Sequence, residues 1–297
     1  MKIFDCFTFS HELDLLEIRL NSLNDVVDVF VLTESEQTFT GLDKELIFNK
    51  NKDRFSKFLH KIRHVIAPKV EGLPSIEDYQ RNTPCHSCWQ REFFQMNYFF
   101  NFIQDAASDD ILLINPLDEI PRANIIEKYK NEITTPRCLI YDLYFYKLNL
   151  IAVNNQKTQD LLKSNPGHKD SRGSLDASLG APYPWYGSVI GQNKYINRNF
   201  WPTVHHQRNR MDLIENAGWH YTYVSSEEDI LRKIKSFSHA DYFRDENADN
   251  LETIKNAIQN NTEIISADRH LEKIDINELD APQYVLDNIE KYKHLIK

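Results

Sequence analysis

Leu13, Leu16, Leu20 and Leu23 fall at helical spacing between two nearly unbroken apolar runs, residues 2–9 and 26–34. The spacing predicts a helix over residues 11–23 with Ser10 as its N-cap. The runs predict buried strands, the second rich in β-branched residues and suited to a parallel sheet. Residues 61–67 form a weaker third strand, stopped by Pro68. After a loop over residues 71–84, Trp89, Phe93, Met96, Phe99, Phe100 and Ile103 set a broad apolar face on a long helix, residues 87–106. Residues 110–114 are a short apolar strand broken by Asn115-Pro116. A helix follows Pro121, and residues 138–150 are an aromatic strand.

This alternation predicts an α/β class with a mainly parallel central sheet flanked by helices. Such a sheet gathers the C-terminal ends of its strands along one edge, where ligands bind. Glu34 and Asp118-Glu119 stand just past strand ends and are therefore expected on that edge. The second half is less regular: a polar loop over 154–184, strand and turn over 185–196, an aromatic strand over 219–224 and a helix over 227–237. Two amphipathic helical stretches follow residue 247, the later one starting near Asp280-Ala281-Pro282. There is no internal repeat, and no linker divides the chain into two folding units.

Charge and composition narrow the classes. With 44 Asp and Glu against 35 Lys and Arg, the net charge of −9 argues against non-specific nucleic-acid binding. It leaves room for a local basic pocket. The longest apolar stretches, 111–114 and 26–32, are strand-sized, so no integral membrane segment is expected. The first residues run straight into a strand and lack the pattern of a signal peptide, so a cytoplasmic protein of bacterial or viral type is expected. Four cysteines in 297 residues do not suggest a disulfide scaffold. Cys85 and Cys88 form a lone C-x-x-C without the second ligand pair that zinc needs.

The segment over residues 111–121 carries the clearest chemistry. An apolar strand ends and two adjacent carboxylates, Asp118 and Glu119, follow at once, locked by Pro121. Hard divalent cations such as Mg²⁺ and Mn²⁺ are held by one or two carboxylates plus phosphate oxygens, and act there as Lewis acids on a departing diphosphate. The same two residues also suit the cap of the helix that begins near Pro121, and spacing alone leaves both readings open.

Longer motifs add to this. Asp5-Cys6-Phe7-Thr8-Phe9, residues 12–20, residues 27–35, Thr38-Phe39-Thr40-Gly41 and Lys44 are followed by Arg91-Glu92-Phe93-Phe94-Gln95 and Asp118-Glu119-Ile120-Pro121. Gly218-Trp219-His220 and residues 233–239 complete the set. In these strings the chain resembles glycosyltransferase family 17, over roughly residues 1–245. The resemblance implies a GT-A-like fold in that region, with 246–297 as a helical extension packed on the same domain. It also implies a UDP-sugar donor, typically UDP-N-acetylglucosamine, a glycan or glycoconjugate acceptor, inversion at the anomeric carbon, and Mn²⁺ or Mg²⁺ as cofactor.

One departure bears on that cofactor. Where the family carries Asp-x-Asp-Glu-Ile-Pro, this chain has Pro116 in place of the first Asp, and proline offers neither a side-chain ligand nor a backbone donor. Met96 likewise stands where the family often has Arg. By resemblance, Asp118 is the expected metal ligand with Glu119 assisting, and His239 completes the shell with His220 a close second. Asn115 is expected to replace some of the lost contacts to the ribose. Glu34, Lys44 and Arg91 are expected to touch the donor, against the plainer readings of a surface carboxylate, a solvated lysine and an arginine paired with Glu92. Inverting transfer needs a general base; Asp241 is the candidate, with Asp176 and Glu215 as rivals. The cationic run over residues 205–210 suits a loop over the diphosphate or a solvated turn. Trp185, Tyr186, Trp201 and Trp219 suit sugar stacking or core packing.

The leading expectation is therefore a metal-dependent transferase of N-acetylglucosamine. A non-catalytic nucleotide-sugar or glycan-binding module, its metal site degenerate at Pro116, is the alternative. A metal-dependent hydrolase built on His205, His206, His220 and His239 ranks last, because the histidines lack H-x-H or H-x-x-x-H spacing.

Overall fold

In the computed structural model, residues 1–79, 84–156, 178–196, 208, 210–240, 250–264 and 269–297 are described. The N-terminal half folds as its pattern dictates. Strand β1 (Ile3–Thr8), helix α1 (Leu13–Leu23) and strand β2 (Val29–Ser35) come first, then the short helix α2 (Ile47–Lys50) and strand β3 (Ile62–Ala67). Helix α3 (His86–Tyr98) leads to β4 (Ile111–Pro116), β5 (Glu119–Pro121) and helix α4 (Ala123–Tyr129). β1 pairs in parallel with both β2 and β4, and β2 with β3. This is the parallel sheet expected of buried apolar strands joined by helices.

The second half departs from a parallel pattern. Strands β6 (Arg137–Phe145), β7 (Leu150–Asn154), β8 (Pro184–Gln192) and β9 (Asp212–Thr222) extend the sheet. β8 lies antiparallel between β4 and β6, and β7 pairs antiparallel with β6. The turn between β6 and β7 is too short for a crossover helix, and a short turn permits only antiparallel pairing. β9 runs parallel to β6 and carries β5 antiparallel on its other side. That last contact requires Gly218: a Cβ there would lie 2.2 Å from the Ile120 carbonyl oxygen.

Helices α5 (Glu227–Ser236), α6 (Leu251–Asn260) and α7 (Gln283–Asp287) follow, with a strand β10 (Arg269–Lys273) between the last two. The C-terminal stretch is thus not purely helical. β10 pairs antiparallel with β7 at the sheet edge. Of its five residues only Leu271 is an apolar residue, too weak a pattern to read as a strand. Val285, Tyr292 and Leu295 join the main core with Leu15, Leu16 and Leu20 of α1.

One local expectation is corrected, and one pairing is added to the sequence reading. Glu12, not Ser10, occupies the N-cap position of α1, and its side chain makes no capping bond. Cys85 and Cys88 are joined by a disulfide at the start of α3.

Candidate active site

The β4–β5 turn is shaped by a residue that plays no part in the sequence-based site. Arg19 on α1 is fully buried. Its guanidinium forks onto Asp5, Nε to Oδ2 at 2.8 Å and Nη2 to Oδ1 at 2.6 Å. Nη1 donates to the carbonyls of Leu117 at 3.0 Å and Glu119 at 2.7 Å, and Nη2 donates to the Asn115 side-chain oxygen. Only arginine offers five donors in a rigid fork that can hold a carboxylate and several carbonyls at once. The turn over residues 115–119 is therefore pinned by Arg19, which fixes the backbone that carries Asp118 and Glu119.

Asp118 is almost completely buried, its side chain 8% exposed. Its Oδ2 accepts from Lys233 Nζ of α5 at 2.7 Å and lies 3.6 Å from His220 Nε2 of β9. The same ammonium reaches Glu12 Oε1 at 3.2 Å. Burial opposes ionisation of Asp118, yet the Lys233 ammonium and His220 hold its carboxyl well below the usual range. For Glu12, burial is again outweighed by Lys233 and His11, and the carboxyl falls to about 2. Lys233 is raised in turn: its burial is outweighed by Asp118 and Glu12.

A stability prediction follows from Glu12. A carboxyl lowered in the folded state stabilises above its unfolded value and loses that contribution as pH falls through the folded one. From pH 4.5 to about 2, ionisation of Glu12 accounts for up to about 3 kcal/mol of lost stability. Urea unfolding across that window is expected to show the loss in the native chain and a shallower one in Glu12→Gln. Equal slopes would refute it.

Glu119 faces the other way. The β5–β9 register sets it opposite His220. Its Oε1 accepts from the Trp185 indole N–H at 2.9 Å and its Oε2 from Ser188 Oγ at 3.4 Å. The Trp185 ring packs on the His220 ring with centroids 4.5 Å apart, and the Arg208 guanidinium lies 5.6 Å from the Trp185 centroid. Trp185 is thus a structural hub between strands, not a free stacking face. His220 Nδ1 is buried with no hydrogen-bond partner among the described residues.

The other expected residues are distributed differently. Asn115 is buried and spends its side chain on Arg19 and Asp5. Glu34 is buried too, and its carboxylate accepts from the Ile47 and Phe48 amides and meets Lys44 at 3.4 Å and His64 at 3.2 Å. Lys44 is therefore paired with Glu34. Arg91 is not paired with Glu92: it donates to the carbonyls of Leu73 at 2.7 Å and Pro74 at 2.8 Å. Each of these four side chains has internal partners, although Arg91 Nε is buried with none among the described residues. His239 sits with its ring against Trp89 at 4.5 Å and Phe237 at 5.6 Å. Glu215 is exposed on β9. Asp241, Asp176, Trp201, His205 and His206 lie outside the described residues.

The residues around Asp118 do not fit a divalent cation as they stand. An ammonium bridges Asp118 and Glu12, and Pro116 contributes no ligand. Among the described residues, no group of three or more His, Cys, Asp or Glu side chains is arranged to hold a metal ion. Glu12, Arg19 and Lys233 are the residues of this cluster that pattern reading missed. All three lie in the motifs above, but only tertiary contact shows which members converge.

Known proteins can now be set beside this geometry. The family model for glycosyltransferase family 17 matches residues 1–158. The β-1,4-mannosyl-glycoprotein 4-β-N-acetylglucosaminyltransferase of Rattus norvegicus is 24% identical over 315 residues, covering 100% of this chain and 54% of that protein. Its Homo sapiens counterpart is 24% identical over 314 residues, covering 99% and 55%. The chain thus spans about half the length of the curated relatives it matches. Among solved structures, M. tuberculosis glucosyl-3-phosphoglycerate synthase overlays with a TM-score of 0.36 at 11% identity, covering 77% of this chain and 75% of that one, too loosely to equate residues.

Proposed function

The chain belongs to glycosyltransferase family 17, and on that premise we propose that it transfers a sugar, N-acetylglucosamine, from a UDP donor to a glycan hydroxyl with inversion. The observation that carries this reading is the charge cluster at the C-terminal edge of β4. Asp118, Glu12, Lys233 and His220 come from four separate parts of the chain and meet past the C-terminal end of β4, the kind of edge where α/β sheets bind ligands.

In this reading the acceptor oxygen bonds to the anomeric carbon as the carbon–oxygen bond to the diphosphate breaks. The electron pair leaves on the diphosphate, and the hydroxyl proton goes to a base. Divalent-metal dependence, which the resemblance implies, finds no fitting shell among the described residues, so no step is assigned to a metal. Lys233 and Arg208 are the positive groups available to a leaving diphosphate in this reading, with His220 as a further hydrogen-bond donor. Asp118 orients the first of these and His220 by direct contact. Pro116 favours the alternative, a nucleotide-sugar-binding module that does not turn over.

A thermal-shift panel of UDP, GDP and CDP with their common sugars, each with Mn²⁺ and with chelator, separates the two readings when paired with a turnover assay. A ligand at a hundred times its dissociation constant stabilises by about 2.7 kcal/mol, an easily measured rise in melting temperature. A selective UDP shift with UDP release from UDP-N-acetylglucosamine is expected. A shift without turnover supports the binding module, and no shift with any nucleotide refutes both.

A further inference from the structure

The place between Asp118 and Glu12 is filled by a charge of the chain's own. Lys233 Nζ lies 2.7 Å from Asp118 Oδ2 and 3.2 Å from Glu12 Oε1. The helix that delivers it is firmly held. Ile230 and Ile234 of α5 are buried, and Ser226 caps its N-terminus by accepting from the Asp229 amide at 3.2 Å. Its last turn is tied to the segment after β2, where Thr40 Oγ1 donates to the Lys235 carbonyl at 3.1 Å. The ammonium is thus a fixed part of the cluster.

Pro116 decides what this place asks for. Two carboxylates face one ammonium, and His220 Nε2 lies 3.6 Å from the same Asp118 oxygen. An aspartate at 116 would add a third negative charge two residues from Asp118, an excess suited to a divalent ion; proline adds none. Mg²⁺ requires about six oxygen ligands at about 2.0–2.1 Å. Here one oxygen of each carboxylate already faces a cation. A divalent ion entering beside Asp118 would have to expel the ammonium or share an oxygen with it. Like charges that close repel strongly in a buried site.

The surroundings suit an anion. His220 Nδ1 and the Tyr223 hydroxyl are buried with no hydrogen-bond partner among the described residues. The Lys233 ammonium stands 5.8 Å from the centre of the Tyr223 ring. Both unpaired groups can donate, and an anion accepting from them would remove the cost of burying them unpaired. Asp118 and Glu12 take two of the three donors on Lys233, which leaves one for a phosphate oxygen. Glu12 also lines a cavity of about 250 Å³ with His11, Ser225, Ser226 and Asp229, so the cluster borders open space.

We propose that the Lys233 ammonium is the resident cation of this site and takes the place that the resemblance gives to Mn²⁺ or Mg²⁺, so that the chain binds the UDP diphosphate without a divalent metal. The inference rests on the transferase reading above for its nucleotide; the exclusion of the metal rests on the contacts of Lys233. As the bond to the diphosphate breaks, the ammonium offsets the electron pair that collects there.

Two measurements on the full chain test it. Free Mn²⁺ is followed by electron paramagnetic resonance as the chain is added, with and without UDP. The native chain is expected to take up none beyond what UDP alone removes. UDP affinity by calorimetry is expected to agree within about twofold between Mn²⁺ and chelator, because a lysine cation supplies the charge that a metal would otherwise bring. In chelator, Lys233→Met is expected to lower that affinity at least about tenfold, the loss of a charge-assisted contact to phosphate. Lys235→Met removes the same charge from an exposed position on the same helix and should leave affinity unchanged. Stoichiometric Mn²⁺ uptake by the native chain, or UDP affinity lost in chelator, overturns this inference and leaves the transferase reading standing. Native UDP affinity in a folded Lys233→Met does the same. A native chain that binds UDP in neither condition overturns the transferase reading and the role of Lys233 toward the diphosphate together.

Discussion

Arg19→Met is expected to cost about 3–5 kcal/mol of folding stability, measured by urea unfolding at neutral pH. Methionine keeps much of the volume, so the loss is not a cavity effect. It removes the partner of Asp5, a carboxylate with no exposure, and strips donors from the carbonyls of Leu117 and Glu119. A buried charge left alone carries most of its desolvation penalty. Since domains of this kind are stable by only about 5–15 kcal/mol, the variant stands close to unfolding at 37 °C. Adding Asp5→Asn should recover part of the loss by removing the stranded charge, and the double-mutant cycle reads the coupling. A loss under about 1 kcal/mol would mean that Arg19 does not hold the β4–β5 turn.

The second large effect is on turnover. Asp118→Asn is expected to lower UDP release from UDP-N-acetylglucosamine about 100- to 1,000-fold, the scale seen when a preorganised electrostatic contact is removed. The substitution preserves shape and still offers an oxygen to Lys233. What it removes is the negative charge that holds both the ammonium at 2.7 Å and the His220 ring at 3.6 Å. With Asp118 neutral, Lys233 retains only Glu12 and is expected to shift toward it. Melting temperature is also expected to fall, because the ionised carboxyl stabilises the fold through Lys233 and His220, so turnover is compared at a temperature where the variant is fully folded. Native-like turnover in a folded Asp118→Asn would remove the centre of the proposed site.

Several of the elements behind these experiments were legible in advance. β1, α1 and β2 follow directly from leucines at helical spacing between two apolar runs, because burial of one helix face and of both strand faces leaves few alternatives. The apolar run ending before Asp118-Glu119 likewise marked the strand β4. Other features had no local signal. Glu34 stands just past a strand end, as a donor contact would, yet its oxygens are taken by the amides of Ile47 and Phe48. Asn115 has the chemistry to meet a ribose, yet it faces Arg19 and Asp5.

What this sequence determined by itself was therefore the α/β order, the strand that ends before Asp118-Glu119 and the family motifs spread along the chain. Those depend on periodicity and on short-range rules, which act within one turn or one strand. The tertiary structure alone decided how the motif residues are shared between scaffold and site. Arg19, quoted within a motif, became the pin of a turn about a hundred residues away, while Lys233 met Asp118 and Glu92 met Ser238. The physical reason is that a charged or polar side chain takes its role from whatever partner burial forces upon it. That partner is set by the packing of α1, α3 and α5 around the sheet, across separations that no local pattern records.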